Sequence, residues 1–308
     1  MCMKLTVILG VMMVQLTNIG TAVGQTSVDG VITQYGQIGN NITLVCKNTE
    51  NEVAEWRLND SKIIGARDME LTETNLTLFS VKSSQEGQYS CHEQESGKAY
   101  STVSLILGYP PGKPQVTCWS VRYPLNVVCS WKLQNQTYLP TKINVTFSYG
   151  IEVAEQCSDE ETLQGNCTIE DIQLFSKIPY TVKVKATNPL GFRSTIKQFI
   201  VEKIIKPDPP TDVNLSPIPN QPKKLLLRWK PPVTWPDPKL FLLKYKIKYW
   251  RESSNRQSMI EISDQTSYVL RGLRSRALYF VKVAANDFFD NGMSSDWSPT
   301  VSARLWSN

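Results

Sequence analysis

The sequence predicts an all-β protein of three tandem β-sandwiches. Three observations carry that prediction. A Cys–Trp–Tyr-x-Cys spacing occupies the first third of the chain, and a pair of motifs recurs across the remainder at offsets of 98 and 99 residues. Short alternating runs punctuated by proline and glycine make up the rest, with no sustained helical periodicity beyond the N-terminus. The 308-residue length suits three such domains at about 100 residues each.

Residues 1–24 read as a signal peptide. Lys4 supplies the positive start, Leu5 to Leu16 a short apolar run, and Ala22-Val23-Gly24 the small residues of a cleavage site. The apolar run is shorter than the ~20 residues a membrane span needs. With no second such stretch and no anchor-like tail, the mature chain is expected to be secreted and extracellular.

The first block, 25–108, carries Cys46, Trp56 ten residues on, and Tyr89 two residues before Cys91. This spacing resembles the immunoglobulin fold, in which an inter-sheet disulfide is covered by a tryptophan and a tyrosine corner precedes the second cysteine. The departure is Gln85, where that pattern usually has Asp.

Proline-rich seams, Tyr109-Pro110-Pro111-Gly112 and Lys206-Pro207-Asp208-Pro209-Pro210, bound a second block, 109–206, and a third, 207–308. Prolines fix φ and remove donors, so each seam is read as a stiff linker. Ser130-Trp131-Lys132 recurs as Arg228-Trp229-Lys230, and the strand from Tyr180 recurs from Tyr279. Leu174 and Leu273 each lie six residues before the tyrosine, as in the tyrosine corner of fibronectin type III domains, and both are expected in the core. Tyr245, Ile247 and Tyr249 alternate inward.

Cys2 lies in the signal peptide, which leaves six cysteines. The immunoglobulin spacing pairs Cys46 with Cys91. The short gaps of ten and nine residues pair Cys118 with Cys129 and Cys157 with Cys167, as for neighbouring strands joined by a turn. Zinc sites favour cysteines two to four residues apart, usually with histidine, and His92 is the only histidine. No metal, no cofactor and no free thiol for a partner are expected. Asn41, Asn59, Asn75, Asn135, Asn144, Asn166 and Asn214 head glycosylation sequons.

Near the end stands Ser294-Ser295-Asp296-Trp297-Ser298. Two cysteine pairs upstream and a Trp-Ser-x-Trp-Ser box downstream resemble the class I cytokine receptors, although Ser294 replaces the first tryptophan. The resemblance implies that the box is a folding element in which aromatic rings stack on basic side chains of a neighbouring strand. Lys282 is the expected partner of Trp297, in a ladder shortened by one ring. Ile169–Ser176, Ile204–Pro210, Arg122-Tyr123-Pro124, Asp212–Pro217 and the box itself resemble the family's soluble beta-subunit branch. The mammalian members of that branch lack the first block, so a soluble alpha receptor or an interleukin-12-beta-like subunit stays open.

The resemblance further implies that loops of the second and third blocks meet at an elbow and hold a four-helix cytokine alpha subunit as a non-covalent heterodimer. That pair would be presented to glycoprotein-130-type or interleukin-12-receptor-type signalling receptors. Phe175, beside the inward Leu174, should point outward. Phe288 and Phe289 in a turn-rich loop, Asp290 as an acceptor and Lys239 on the rim complete the expected contacts. An immunoglobulin/fibronectin adhesion protein is the competing binding class. Enzymes are disfavoured by the lone histidine and by the lack of a phosphate loop or nucleophile elbow. Net charge of +5, with acids interspersed among bases, gives no nucleic-acid signature.

Overall fold

The computed structural model describes residues 25–28, 31–47, 54–65, 67–252, 254 and 256–305. The expected signal peptide, 1–24, lies outside the described residues. The chain forms two compact units, one built mainly from the residues up to Pro110 and the other mainly from those after it.

In the first unit the strands are β1 (Gln25–Val28), β2 (Val31–Gln37), β3 (Ile42–Val45), β4 (Ala54–Leu58), β5 (Ser61–Lys62), β6 (Met69–Leu71), β7 (Asn75–Leu78), β8 (Gly87–Glu93) and β9 (Ala99–Gly108). They make a six-stranded sheet, β1-β2-β9-β8-β4-β5, and a three-stranded sheet, β3-β7-β6. Alternation places Leu44, Trp56, Leu76, Leu78, Tyr89 and Cys91 between the sheets, all nearly or fully buried. The Cys46–Cys91 disulfide joins the sheets. The Tyr89 hydroxyl donates to the carbonyl of Gln85 at 2.8 Å. A tyrosine corner needs only that carbonyl, so it forms with Gln85 in place of the usual Asp.

The second unit holds two sandwiches of matching topology. The first has β10 (Gln115–Trp119), β11 (Asn126–Lys132), β12 (Lys142–Tyr149), β13 (Glu155–Gln156), β14 (Asn166–Glu170), β15 (Tyr180–Asn188) and β16 (Gly191–Phe199). Its sheets are ordered β10-β11-β14 and β13-β12-β15-β16. The next has β17 (Thr211–Pro217), β18 (Leu225–Lys230), β19 (Leu243–Arg251), β20 (Gln257–Ser263), β21 (Ser267–Leu270), β22 (Leu278–Asp287) and β23 (Val301–Arg304), ordered β17-β18-β21 and β20-β19-β22-β23. The repeated motifs fall on equivalent strands: Trp131 and Trp229 on β11 and β18, Tyr180 and Tyr279 on β15 and β22. The tyrosine hydroxyls accept backbone N–H groups of Gln173 at 2.8 Å and Arg274 at 3.1 Å. Leu273 is buried as expected, but Leu174 is only half-buried, and Ile172 takes the inward place beside it.

Cys118 and Cys129 face each other across β10 and β11 and are bonded. Cys157–Cys167 departs from the hairpin expectation. Cys157 follows β13 in one sheet and Cys167 lies on β14 in the other, so this bond ties the sheets together. The nine residues between them include a helix the periodicity did not suggest, α1 (Asp159–Gln164). Six residues are too few to show a 3.6 period, yet the termini carry clear signals. The Ser158 hydroxyl caps Glu161, three acids fill the first turn, and Gly165 ends the helix in the left-handed region at φ 80°.

Four tyrosines sit in these cores with depressed acidity. Burial, followed by the nearby acid Asp68 or Asp264, pushes Tyr89 and Tyr245 up to about 12. Burial likewise raises Tyr123 and Tyr180. A raised folded-state pKa means stability that is complete below about pH 10 and is lost as pH climbs through the folded values. In an alkaline titration these four of the 12 tyrosines should ionise only together with the loss of tertiary circular dichroism. Phenolate absorbance that saturates near pH 10 with the fold intact would contradict this.

Candidate functional site

The two sandwiches of the second unit share one continuous apolar core running from Cys118 to Leu305. The linker between them explains why. After β16 the chain makes a 3-10 turn, Val201–Ile204, and Ile205 is wholly buried. Ser120 of the second sandwich brackets the linker, its N–H donating to Ile204 O and its carbonyl accepting from Lys206 N, both at 2.9 Å. From the other side Met293 N of the third sandwich donates to Ile205 O at 2.7 Å. Gly292 permits that approach. It lies at φ 68°, and a Cβ there would sit 2.0 Å from the Ile205 oxygen.

Aromatic packing completes the elbow. Tyr123, 3% exposed, stacks on Trp235 at 6.2 Å and meets the edge of Phe241 at 5.4 Å. The Trp235 indole N–H donates to Phe241 O at 2.8 Å. Trp235 is therefore a core residue. Burial and then the neighbouring Glu202 and Asp287 carboxylates raise the Tyr123 phenol, which keeps it a neutral donor.

Each expected contact residue has a definite place on this frame. Phe175 is 78% exposed and adopts the left-handed region at φ 54°. That conformation costs a phenylalanine about 1 kcal/mol or more. It is held by Glu202, whose carboxylate accepts Phe175 N at 2.7 Å and the Tyr123 hydroxyl at 3.5 Å. On the third sandwich Asp287 is buried, and its carboxylate accepts the N–H groups of Phe289 and Asn291 at 3.0 and 3.1 Å. The loop so formed leaves Phe289 78% exposed, while Phe288 is half-buried and packs edge-on against it at 5.3 Å.

Asp290 was expected to wait for an external donor, but its carboxylate already accepts Lys244 at 2.6 Å. That hydrogen bond raises the Lys244 ammonium pKa. Lys239 is exposed, in a loop whose turn is closed by Asp237. Next to it Leu240 is 76% exposed, an apolar candidate missed in the sequence because nothing local sets its direction.

The Trp-Ser box lies against β22 as an irregular strand. Ser295 N donates to Ala285 O and its hydroxyl accepts Ala285 N, both at 2.8 Å. Ser298 repeats the pattern with Val283 at 2.8 and 3.0 Å. The serine oxygens thus stand where strand carbonyls would. Lys248 and Lys282 face each other in register on β19 and β22, a repulsive pairing. The Trp297 ring lies 5.9 and 5.2 Å from their two ammonium groups, sharing its π-face between them. Where the missing first tryptophan would stand, the Ser294 hydroxyl accepts Lys246 at 3.1 Å. Asp296 pairs with Lys206 of the linker at 3.2 Å, so the box also touches the elbow.

Asn41, Asn59, Asn135 and Asn214 are exposed, and Asn75, Asn144 and Asn166 half-buried. In Asn41 and Asn59 the side-chain oxygen accepts a backbone N–H, which leaves the amide nitrogen for a sugar. Among the described residues no His/Cys/Asp/Glu group could hold a metal ion, and no helix is long and apolar enough to cross a membrane.

The family model described as IL27B N-terminal FN3 domain matches residues 114–199, and the fibronectin type III domain model matches residues 208–303. Human interleukin-27 subunit beta is 40% identical over 215 residues, 68% of this chain and 90% of that protein. The chain belongs to the class I cytokine receptor family. It is thus a cytokine-receptor subunit and not an enzyme. Human ciliary neurotrophic factor receptor subunit alpha is 34% identical over 274 residues, 89% of this chain and 72% of that one. Interleukin-11 receptor subunit alpha of Pongo abelii is 28% identical over 280 residues, 86% and 65% respectively. Alignments of that length exceed the two fibronectin-type blocks and reach into the immunoglobulin-like one.

Two substitutions probe the frame of this receptor subunit. Gly292→Val should loosen the elbow, lowering the thermal midpoint and broadening the inter-sandwich distance distribution measured between two spin labels. Trp297→Ala should destabilise the third sandwich by about 1–3 kcal/mol, since Lys248 and Lys282 then repel without an intervening ring. The second effect should shrink as salt screens the lysines, and a salt-independent loss would argue for simple packing instead.

Proposed function

We propose that the chain is a secreted cytokine-binding subunit that holds a four-helix cytokine alpha subunit at the elbow and presents it to a glycoprotein-130-type or interleukin-12-receptor-type signalling receptor. The observation that carries this reading is the pair Phe175 and Phe289, both 78% exposed, on loops that a shared core orients from either side. Exposed aromatics on rigid loops are what a binding hot spot requires, because little ordering is left to be done on association. Leu240 adds apolar surface, and Lys239 and the Lys244–Asp290 pair supply a polar rim. The mechanism is capture by binding free energy alone, with no bond made or broken. The disulfides fit an oxidising, extracellular setting. In this reading the blocks 25–108, 109–206 and 207–308 act as spacer, upper arm and lower arm.

A second reading, an alpha receptor that captures its ligand after release, is favoured by the length of the alignment with ciliary neurotrophic factor receptor subunit alpha. Co-expression separates the two. A beta-type subunit should leave the cell already paired with a co-expressed helical partner. An alpha-type receptor should emerge free and bind added cytokine.

The site itself is tested on ciliary neurotrophic factor, interleukin-11 and the helical partner of interleukin-27 subunit beta, titrated by surface plasmon resonance. At least one should bind. Phe175→Ala and Phe289→Ala should each weaken it by about thirtyfold, the ~2 kcal/mol of a hot-spot residue. Unchanged affinity in the double variant sinks the elbow assignment, and no binding by any of them sinks the cytokine reading.

A further inference from the structure

The end of the third sandwich away from the elbow concentrates positive charge that the linear sequence disperses. β19 runs from the elbow out to Arg251, and β22 returns from Leu278, so the distant pole is made by residues 217–225, 251–252, 254, 256–257, 270–278 and 304. These hold Lys223, Lys224, Arg251, Arg256, Arg271, Arg274, Arg276 and Arg304 against the single acid Glu252. Eight bases against one acid make this pole +7, and the rest of the chain, with 25 bases against 27 acids, is −2. The net charge of +5 therefore belongs to one end of one domain.

Within the pole a cavity of about 260 Å³ is lined by Arg251, Arg256, Arg271 and Arg274 together with Ser254 and Ser258, and by no carboxylate. None of these four arginines has an ion-pair partner among the described residues. The pole's single ion pair among them is the distant Arg304–Glu252 contact at 3.9 Å. The arrangement is costly unless something neutralises it, because like charges converge on one cavity. Guanidinium groups match tetrahedral oxyanions by paired N–H donation. Tyr249 and Trp250 also line the cavity.

We propose that this pole is a binding site for sulfated polysaccharide. Sulfate and phosphate share the chemistry that four arginines recognise. The three disulfides indicate an oxidising, extracytoplasmic environment. Anionic phospholipid headgroups concentrate on the cytoplasmic leaflet, which leaves sulfated sugars as the polyanion this surface meets. Because the pole lies opposite the elbow, a polysaccharide could concentrate the subunit on a matrix without covering Phe175 or Phe289.

The test uses the full chain on a heparin-coated sensor surface at physiological salt. Binding should fall steeply as salt rises, and fully desulfated heparin should not bind. The triple variant Arg256→Ala/Arg271→Ala/Arg274→Ala should bind at least about tenfold more weakly, as expected for loss of several charge-assisted contacts. The Arg274 backbone N–H that holds the Tyr279 hydroxyl is unaffected by these changes. A control with equal charge loss at exposed lysines of the second sandwich, Lys142→Ala/Lys177→Ala/Lys197→Ala, should bind like the unmodified chain. An equal loss in the control would mean diffuse attraction and overturn the site. Tighter binding to phosphatidylserine vesicles than to heparin would overturn the polysaccharide as ligand. Should the triple variant melt early, the single exposed change Arg271→Glu gives the same readout. Cytokine binding should be untouched by the variants at the pole, so this proposal and the elbow assignment fail separately.

Discussion

Everything at the elbow depends on three peptide groups, Ile204 to Lys206, being held from both sides. Ser120 bonds them to the second sandwich and Met293 to the third, while Ile205 is sealed between the two. A buried backbone segment must satisfy its own donors and acceptors, so the linker can be interior only if both neighbours supply partners. Once it is interior, the two apolar cores run together and the angle between the sandwiches becomes a packing property. The prolines that follow stiffen the exit, but prolines alone fix φ and leave ψ free. The hydrogen bonds and the glycine at 292 are what define the bend.

That constraint passes outward through polar residues. Glu202 sits in the linker turn and reaches both Tyr123, in the aromatic cluster, and the backbone of Phe175. Asp287, buried at the end of β22, organises the loop that carries Phe289. In each case a carboxylate fixes the backbone beside an exposed aromatic, and at Phe175 that backbone is held in the left-handed region, which a phenylalanine would not choose. Local strain of this kind, concentrated on loops above a rigid frame, is the usual architecture of a recognition surface. The box plays a supporting part: Trp297 relieves the Lys248–Lys282 repulsion, and Asp296 fastens Lys206, so the third sandwich and the linker are stabilised by one strip of chain.

Charge is arranged at a larger scale. An acid-interspersed sequence gives no clustered signature, yet folding gathers arginines and lysines from three loops and the last strand at one pole. The molecule separates two surfaces along one domain, an aromatic elbow and a far end with an excess of positive charge.

Much of the architecture was legible from sequence, because it follows from short-range rules. Alternation set strand faces, cysteine spacing set the three disulfides, and the repeat of Trp131 and Tyr180 at Trp229 and Tyr279 set the sandwich count. Phe175 could be directed outward from its neighbour Leu174, since adjacent strand-like positions oppose each other, even though Leu174 proved only half-buried and Ile172 took the deeper place. Lys282 could be matched to Trp297 by strand parity. What only the tertiary structure decided were the relations between segments far apart in the chain. Trp235 is core because Tyr123 stacks on it from over a hundred residues away. Phe289 and not Phe288 is exposed because Asp287 turns the loop. Asp290 is engaged because Lys244 lies on the adjoining strand. The Cys157–Cys167 bond links two sheets across a helix, since α1 is specified by its caps and not by any periodicity. The elbow was expected as a stiff run of prolines. It is a shared core closed by backbone hydrogen bonds, and no local pattern can announce a bond whose two ends are set by separate domains.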